Sequence, residues 1–322
     1  MSPEPTCNHL AQYGVHLVMS DLVRSSLPST ARGTNLEAFG HTEWSLLAGV
    51  ALIWGSSFFF IAIGLESFSP GVVTLARVGL GTAALAFVGR ARLPIDRADR
   101  GRVVVLGLIW IGIPLTLFPI AQQWIDSSVT GMLNAAMPVS AAVWATVLLR
   151  RAPGRRQLVG IAIGFVGVIA VSVPELRDSS ASALGAGLSL LAVAFYGLAA
   201  NMAVPLQQRY GSLPVLLRAQ LAALVFVTPI GLAQLGSSSW QWSSALAMVP
   251  LGVLGTGVAF VLMATLVGRV GAPRGAVAIY FVPIVAVVLG VAFLSERVEA
   301  IALAGAALVL VGSWVASRAE AA

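Results

Sequence analysis

The sequence of 322 residues contains no lysine, a single cysteine and only three histidines, and its 19 basic and 13 acidic side chains make up just 10% of the chain. Each shortage closes off a class of chemistry. Cys7 alone cannot form an internal disulfide framework or a thiolate metal site. His9, His16 and His41 all fall in the first 43 residues, which leaves the apolar body without imidazole for metal or proton chemistry. Without lysine there is no GxxxxGK[ST] phosphate loop, so this chain alone does not use ATP by that route. No cofactor is expected. A charged fraction of 10% is far below the roughly 25% of soluble domains and too small to coat a globule in water.

What is present is apolar. Hydrophobic residues make up 58%, and 33 glycines extend that share. The first 43 residues mix Pro, Ser, Thr and charges without sustained periodicity and read as a flexible cytoplasmic tail, compatible with a start at Met1 or at Met19. From Trp44 onward ten apolar runs follow, near 45–64, 71–89, 103–123, 128–149, 157–174, 184–206, 214–235, 243–267, 275–294 and 299–316. At about 20 residues per crossing these predict ten transmembrane helices in an all-α integral membrane protein. The arginines lie in alternate gaps: Arg90, Arg92, Arg97, Arg100 and Arg102; Arg150, Arg151, Arg155 and Arg156; Arg209; Arg269 and Arg274; with Arg318 after the last run. Only Arg177 and Arg297 occupy the opposite gaps, beside Glu66, Asp126, Glu175, Asp178, Glu296 and Glu299. The positive-inside rule then places both termini in the cytoplasm, as in a multi-pass cell-membrane protein. Arginines so placed argue for a lipid bilayer partner and against nucleic acid.

The chain repeats. Gly107 aligns on Gly252 at an offset of 145 residues, and the same shift pairs Gly112 with Gly257, Pro138 with Pro283, Leu149 with Leu294, Gly160 with Gly305 and Gly167 with Gly312. Nearer the start of each half the offset drifts, so that Trp54-Gly55 meets Tyr196-Gly197 and Pro70 meets Pro214. The halves are predicted at 44–174 and 184–317 as two five-helix repeats. An odd helix number inverts the second copy, the arrangement that lets a carrier alternate its opening between two sides.

Inside the runs, Arg77 and Arg218 are the charges to explain. Arg218 reads as snorkelling to the interface. Arg77, deeper in the second run, is a candidate substrate contact favouring carboxylates, with a helix-to-helix bond as the competing role. Trp54, Ser56, Ser57, Trp110, Asn134, Tyr196, Asn201 and Tyr280 lie near run centres and are candidate substrate-binding residues, with helix packing the competing role for each. Pro138 and Pro283 are candidate hinges. Glu296 and Glu299 read as solvated helix-end acids, Trp44, Trp124, Trp240, Trp242 and Trp314 as interfacial anchors. The GxxxG of Gly160 and Gly164 permits close helix contact within the monomer or in a homodimer. No carboxylate pair or imidazole base lies at membrane depth, so an enzyme is not expected.

The segment LLAGVALIWGSSF (46–58), Pro138 and Pro283, and FLSERV (293–298) resemble the EamA-type carriers of the drug/metabolite transporter superfamily over about residues 44–317. In place of a second acid the first half reads LLRRAP (148–153), with Arg151 opposite Glu296. The resemblance implies a ten-helix inner-membrane carrier that moves small metabolites, often outward, through a cavity between its halves. The expected function is a secondary active or facilitative transporter, an exporter of amino acids or drug-like compounds working by alternating access. A lipid flippase or a non-transporting membrane sensor is the alternative.

Overall fold

The structure is a computed structural model that describes residues 39–149, 154–270 and 275–317. Most of the expected tail, with Cys7, Met19, Arg150, Arg151, Arg274 and Arg318, lies outside the described residues. The described residues are almost entirely helical. Eight helices are long and apolar enough to cross a membrane: α1 (His41–Leu65), α3 (Arg97–Ala121), α4 (Ser127–Leu148), α5 (Arg155–Asp178), α6 (Ser180–Tyr210), α7 (Ser212–Ala233), α8 (Trp242–Val270) and α9 (Ala276–Phe293). Two shorter apolar helices, α2 (Pro70–Ala86) and α10 (Ala300–Ala316), complete the order. The first helix begins at His41, three residues inside the segment expected as tail, because Glu43 accepts the Gly40 N–H at 3.0 Å and closes the first turn. By length and composition eight of the described helices qualify to cross, and α2 and α10, at 17 residues each, stand just short of that length. Pro70 fixes where α2 can start and a 3₁₀ turn at Gly89–Arg92 follows it, leaving 17 residues, about 26 Å at 1.5 Å per residue.

Side-chain size decides the packing. The broadest helix contact joins α5 and α10. A Cβ placed on Gly160 would lie 2.7 Å from the Gly312 carbonyl, and one on Gly312 would lie 2.6 Å from the Gly160 carbonyl. Gly167 and Gly305 face each other in the same way at 2.7 and 2.8 Å. Early positions of α5 therefore meet late positions of α10, so the helices cross antiparallel with their backbones in contact. The GxxxG face of α5 is filled within the chain by α10 and, at Gly164, by Val139.

Elsewhere the first five helices interleave with the last five. Gly81 of α2 packs on Thr256 of α8, and Gly107 of α3 packs on the Ala219 backbone of α7. Gly55 of α1 meets Val282 and Val285 of α9, as Gly197 of α6 meets Ser140 and Ala141 of α4. Outward faces carry large apolar side chains such as Phe165 and Val225, as helices bounded by lipid require.

Gly312→Leu is expected to force α5 and α10 apart at a cost of about 1–3 kcal/mol or more. Gly187, with nothing within 4 Å of an added Cβ, is the control position for an Ala substitution. Thermal unfolding of the detergent-solubilised protein checks this: a clear fall for Gly312→Leu and little change for Gly187→Ala.

Candidate functional site

Two helices change their winding at related places. α3 is a π-helix over Leu108–Gly112 and α8 over Pro250–Val258, and each wide turn frees carbonyls from the usual ladder. Such carbonyls need other donors, and at α8 three helices supply contacts. Trp54 of α1 donates Nε1–H to the Gly255 carbonyl at 3.2 Å. Gln220 of α7 donates Nε2 to the Thr256 carbonyl at 2.6 Å. Arg77 of α2 donates Nε to the Thr256 hydroxyl oxygen at 3.0 Å.

Arg77 is 6% exposed, and the described residues form no ion pair with it. Its Nη atoms donate to no described residue, and a Cβ on Gly255 would lie between Ser57 Oγ at 2.8 Å and Arg77 Nη2 at 4.0 Å. Tyr196 packs against the same buried cluster as Trp110 and Phe260. Phe260 links the two indoles edge to face, its ring 5.4 Å from Trp54 and 5.6 Å from Trp110. Phe118 sits 5.7 Å from the Tyr196 ring. Trp54, Ser57, Arg77, Trp110 and Tyr196 thus gather around the wide turn of α8.

The other candidates are placed differently. Ser56, like Ser57 beside it, donates to the Ile53 carbonyl of its own helix. Asn201 spends Nδ2 on the Ala141 and Gly197 carbonyls, tying α6 to α4. Asn134 lies where α4 is interrupted, with a buried Oδ1 that has no partner among the described residues. Tyr280 lies in the 3₁₀ stretch Ala276–Phe281 that opens α9. Pro138 and Pro283 each occupy the second position of the helix that resumes after the irregular turn, Met137–Leu149 and Val282–Phe293.

Thr256, Gln220, Phe260 and Trp144 were not singled out by sequence. Trp144 donates Nε1–H to the Ala194 carbonyl at 2.9 Å. Neutral or apolar residues inside continuous apolar runs give no periodic signal. The repeat-related glycines on either side of Thr256 were the available clue.

Both ends of the bundle are tied. Glu296 corrects the expectation of a solvated acid, because it caps α4. Its Oε1 accepts from Ser127 N at 2.9 Å and Ser127 Oγ at 2.7 Å, and its Oε2 accepts from Ser128 N at 2.9 Å. Ser295 makes this possible with a left-handed backbone, φ 57°, that turns the chain back so that Glu296 N reaches the Gly290 carbonyl. Beside this cap lies a cavity of about 280 Å³ lined by Trp124, Asp126, Glu175, Asp178, Arg297 and Glu299 among others. Burial, and then the neighbouring Glu296 carboxylate, hold the Asp126 carboxyl above its ordinary range. At the same end Gln234 Oε1 accepts the Gly71 N–H of α2 at 2.8 Å. At the opposite end Arg209 pairs with Asp96 at 2.7 Å and Asp99 at 2.9 Å, and Arg269 pairs with Glu43 at 2.6 Å. Arg218 donates to the Ala91, Arg92 and Pro214 carbonyls, holding the turn after α2.

Comparison with known proteins adds a family to this geometry. A family model described as EamA-like transporter family matches residues 43–173 and 183–318. A protein named "Probable terminal-alkyne amino-acid exporter" from Streptantibioticus cattleyicolor is 27% identical over 85% of this chain and 93% of its own. One named "Probable amino-acid metabolite efflux pump" from Escherichia coli is 25% identical over 83% of this chain and 91% of its own. One named "Uncharacterized transporter YoaV" from Bacillus subtilis is 23% identical over 84% and 94%. A crystal structure 16% identical to the chain shares its fold, with a TM-score of 0.62 over 85% of this chain and 96% of that one.

Two substitutions separate the roles of the acids at the cap. Glu296→Ala removes three hydrogen bonds to α4 and is expected to cost about 1–2 kcal/mol, read as a lower unfolding temperature. Asp126→Asn acts oppositely. A folded-state value above the unfolded one means that the fold favours protonated Asp126 and loses stability as pH rises through the raised value. The variant therefore gains over the parent at about pH 8 and gains little at about pH 4.

Proposed function

The chain belongs to the EamA-like transporter family, and on that premise we propose that it exports small metabolites, amino acids or related compounds among them, by alternating access around the Arg77 site. As a member of a membrane transporter family whose named relatives are transporters and exporters, it is not an enzyme. The substrate class named for two relatives supports the reading for this chain.

The single observation that carries the site is Arg77. A charge at the centre of a membrane helix costs about 2.5–3.5 kcal/mol on insertion scales, and a structural arginine normally recovers that through a buried partner. Arg77 spends one of its three guanidinium nitrogens on Thr256 and leaves the others without a described acceptor. Substrate would complete it, with Trp54, Ser57, Trp110 and Tyr196 forming the wall and Asn134, Asn201, Ser56 and Tyr280 lying along the route.

The mechanism uses two inverted five-helix halves, 44–174 and 184–317, with both termini cytoplasmic. The antiparallel glycine contact of α5 and α10 supports this, as do the paired π turns and the paired interruptions before Pro138 and Pro283. In this reading the Glu296 cap closes the outer mouth, the Arg209 and Arg269 ion pairs close the inner one, and the two prolines mark the hinges that let one open while the other holds.

Proteoliposomes holding the purified chain and a pooled metabolite mixture, read by mass spectrometry, test this. Flux above empty liposomes is expected, reduced at least about tenfold by Arg77→Gln and by Trp54→Ala while both variants stay folded, as loss of a site contact worth about 1.4 kcal/mol requires. Flux that survives both substitutions moves the site elsewhere. Absence of flux favours lipid flipping or sensing.

A further inference from the structure

The charges that reach membrane depth constrain what can be carried. Among the described residues one ionic side chain, Arg77, sits at the middle of an apolar helix, and a second, Arg218, lies near the start of α7. The second is engaged by three backbone carbonyls at its helix end. The described carboxylates sit at helix ends or in connections: Glu43, Glu66, Asp96, Asp99, Asp126, Glu175, Asp178, Glu296 and Glu299. A guanidinium keeps its proton in any protein environment, so the positive charge at Arg77 is permanent.

Resting on the transport reading above and narrowing its substrate class from free amino acids to relatives that lack the amine, we infer that the cargo is a monoanion, a carboxylate on a compact apolar or aromatic body without a free ammonium group, and that the membrane potential drives it outward. The carboxylate supplies the charge that Arg77 lacks, and a guanidinium binds it in a planar, two-point arrangement. Trp54, Trp110 and Phe260 offer edges and faces to an apolar body. An ammonium group in the same molecule would lie close to Arg77, where no described carboxylate stands to pair with it.

The driving force follows from the same inventory. A carrier that exchanges protons needs a group at membrane depth that gains and loses one, and no Asp, Glu or His among the described residues is placed there. Each turnover then moves one uncompensated negative charge. An inside-negative potential expels it, toward a gradient of about fifty-fold per 100 mV.

The test uses the full chain in proteoliposomes whose potential is set by potassium gradients and valinomycin. The probes are 2-oxo acids and N-acetylated aromatic amino acids as monoanions, free amino acids as zwitterions and quaternary ammonium compounds as cations. Monoanions are expected to leave inside-negative vesicles, to accumulate in inside-positive ones toward the fifty-fold limit, and to ignore an imposed pH gradient. Arg77→Lys retains part of that flux and Arg77→Gln loses it. Zwitterion or cation flux without monoanion flux overturns the charge assignment and leaves transport standing. Monoanion flux that follows the pH gradient overturns the driving force alone. No flux in any class overturns the transport reading and this inference together.

Discussion

In a bilayer every backbone carbonyl released from a helix must be taken up by the protein itself, and the bundle is organised around the places where that happens. The π turn of α8 frees the Gly255 and Thr256 carbonyls, and Trp54 and Gln220 arrive from two other helices to meet them. Where α4 is interrupted, Ser313 of α10 reaches the Ala135 carbonyl at 3.2 Å. Ser244 of α8 donates to Ile63 at the end of α1 at 2.7 Å. Irregular winding and cross-chain side-chain donors are thus one feature seen from two sides. Three of these contacts, from Trp54, Ser313 and Ser244, join the first five helices to the last five and so help fix how the two sets sit together.

The same constraint explains why Arg77 lies where it does. A wide turn presents a hydroxyl and a small residue side by side at Thr256 and Gly255, and the glycine leaves room for a guanidinium and for Ser57. The buried network of Arg77, Thr256 and Gln220 is incomplete at both ends, at the Nη atoms and at the Gln220 Oε1, which has no partner among the described residues. Buried polar networks specify position strongly when complete and are costly when not. An incomplete one at the meeting point of four helices is suited to completion by a ligand.

Much of this was legible in the sequence, and the remainder was not for identifiable reasons. Apolar runs almost without charge located the helices to within several residues, and the glycines that allow α5 and α10 to touch were among the residues that made the sequence repeat visible. Arg77 stood out because a mid-run charge is expensive. The wall around it did not, since Phe260 in an apolar run looks like any lipid-facing residue until Trp54 and Trp110 are seen on either side. The role of Glu296 was hidden by distance along the chain, its partner Ser127 lying 169 positions away. The shortened α2 and the interruptions of α4 and α9 depend on hydrogen bonds to other helices, which local pattern does not encode.

The glycine contact between α5 and α10 has the form of a self-complementary surface. Gly160 meets Gly312 as Gly167 meets Gly305, while in sequence Gly160 corresponds to Gly305 and Gly167 to Gly312. A patch that recognises its own counterpart turned end for end is what a two-fold dimer uses. Joining both copies in one chain replaces a bimolecular encounter by an intramolecular one, so pairing no longer depends on how much protein the membrane holds. It also releases the two copies from identity. Each side of the contact can accept its own substitutions, as along the rest of the sequence, where Arg151 corresponds to Glu296.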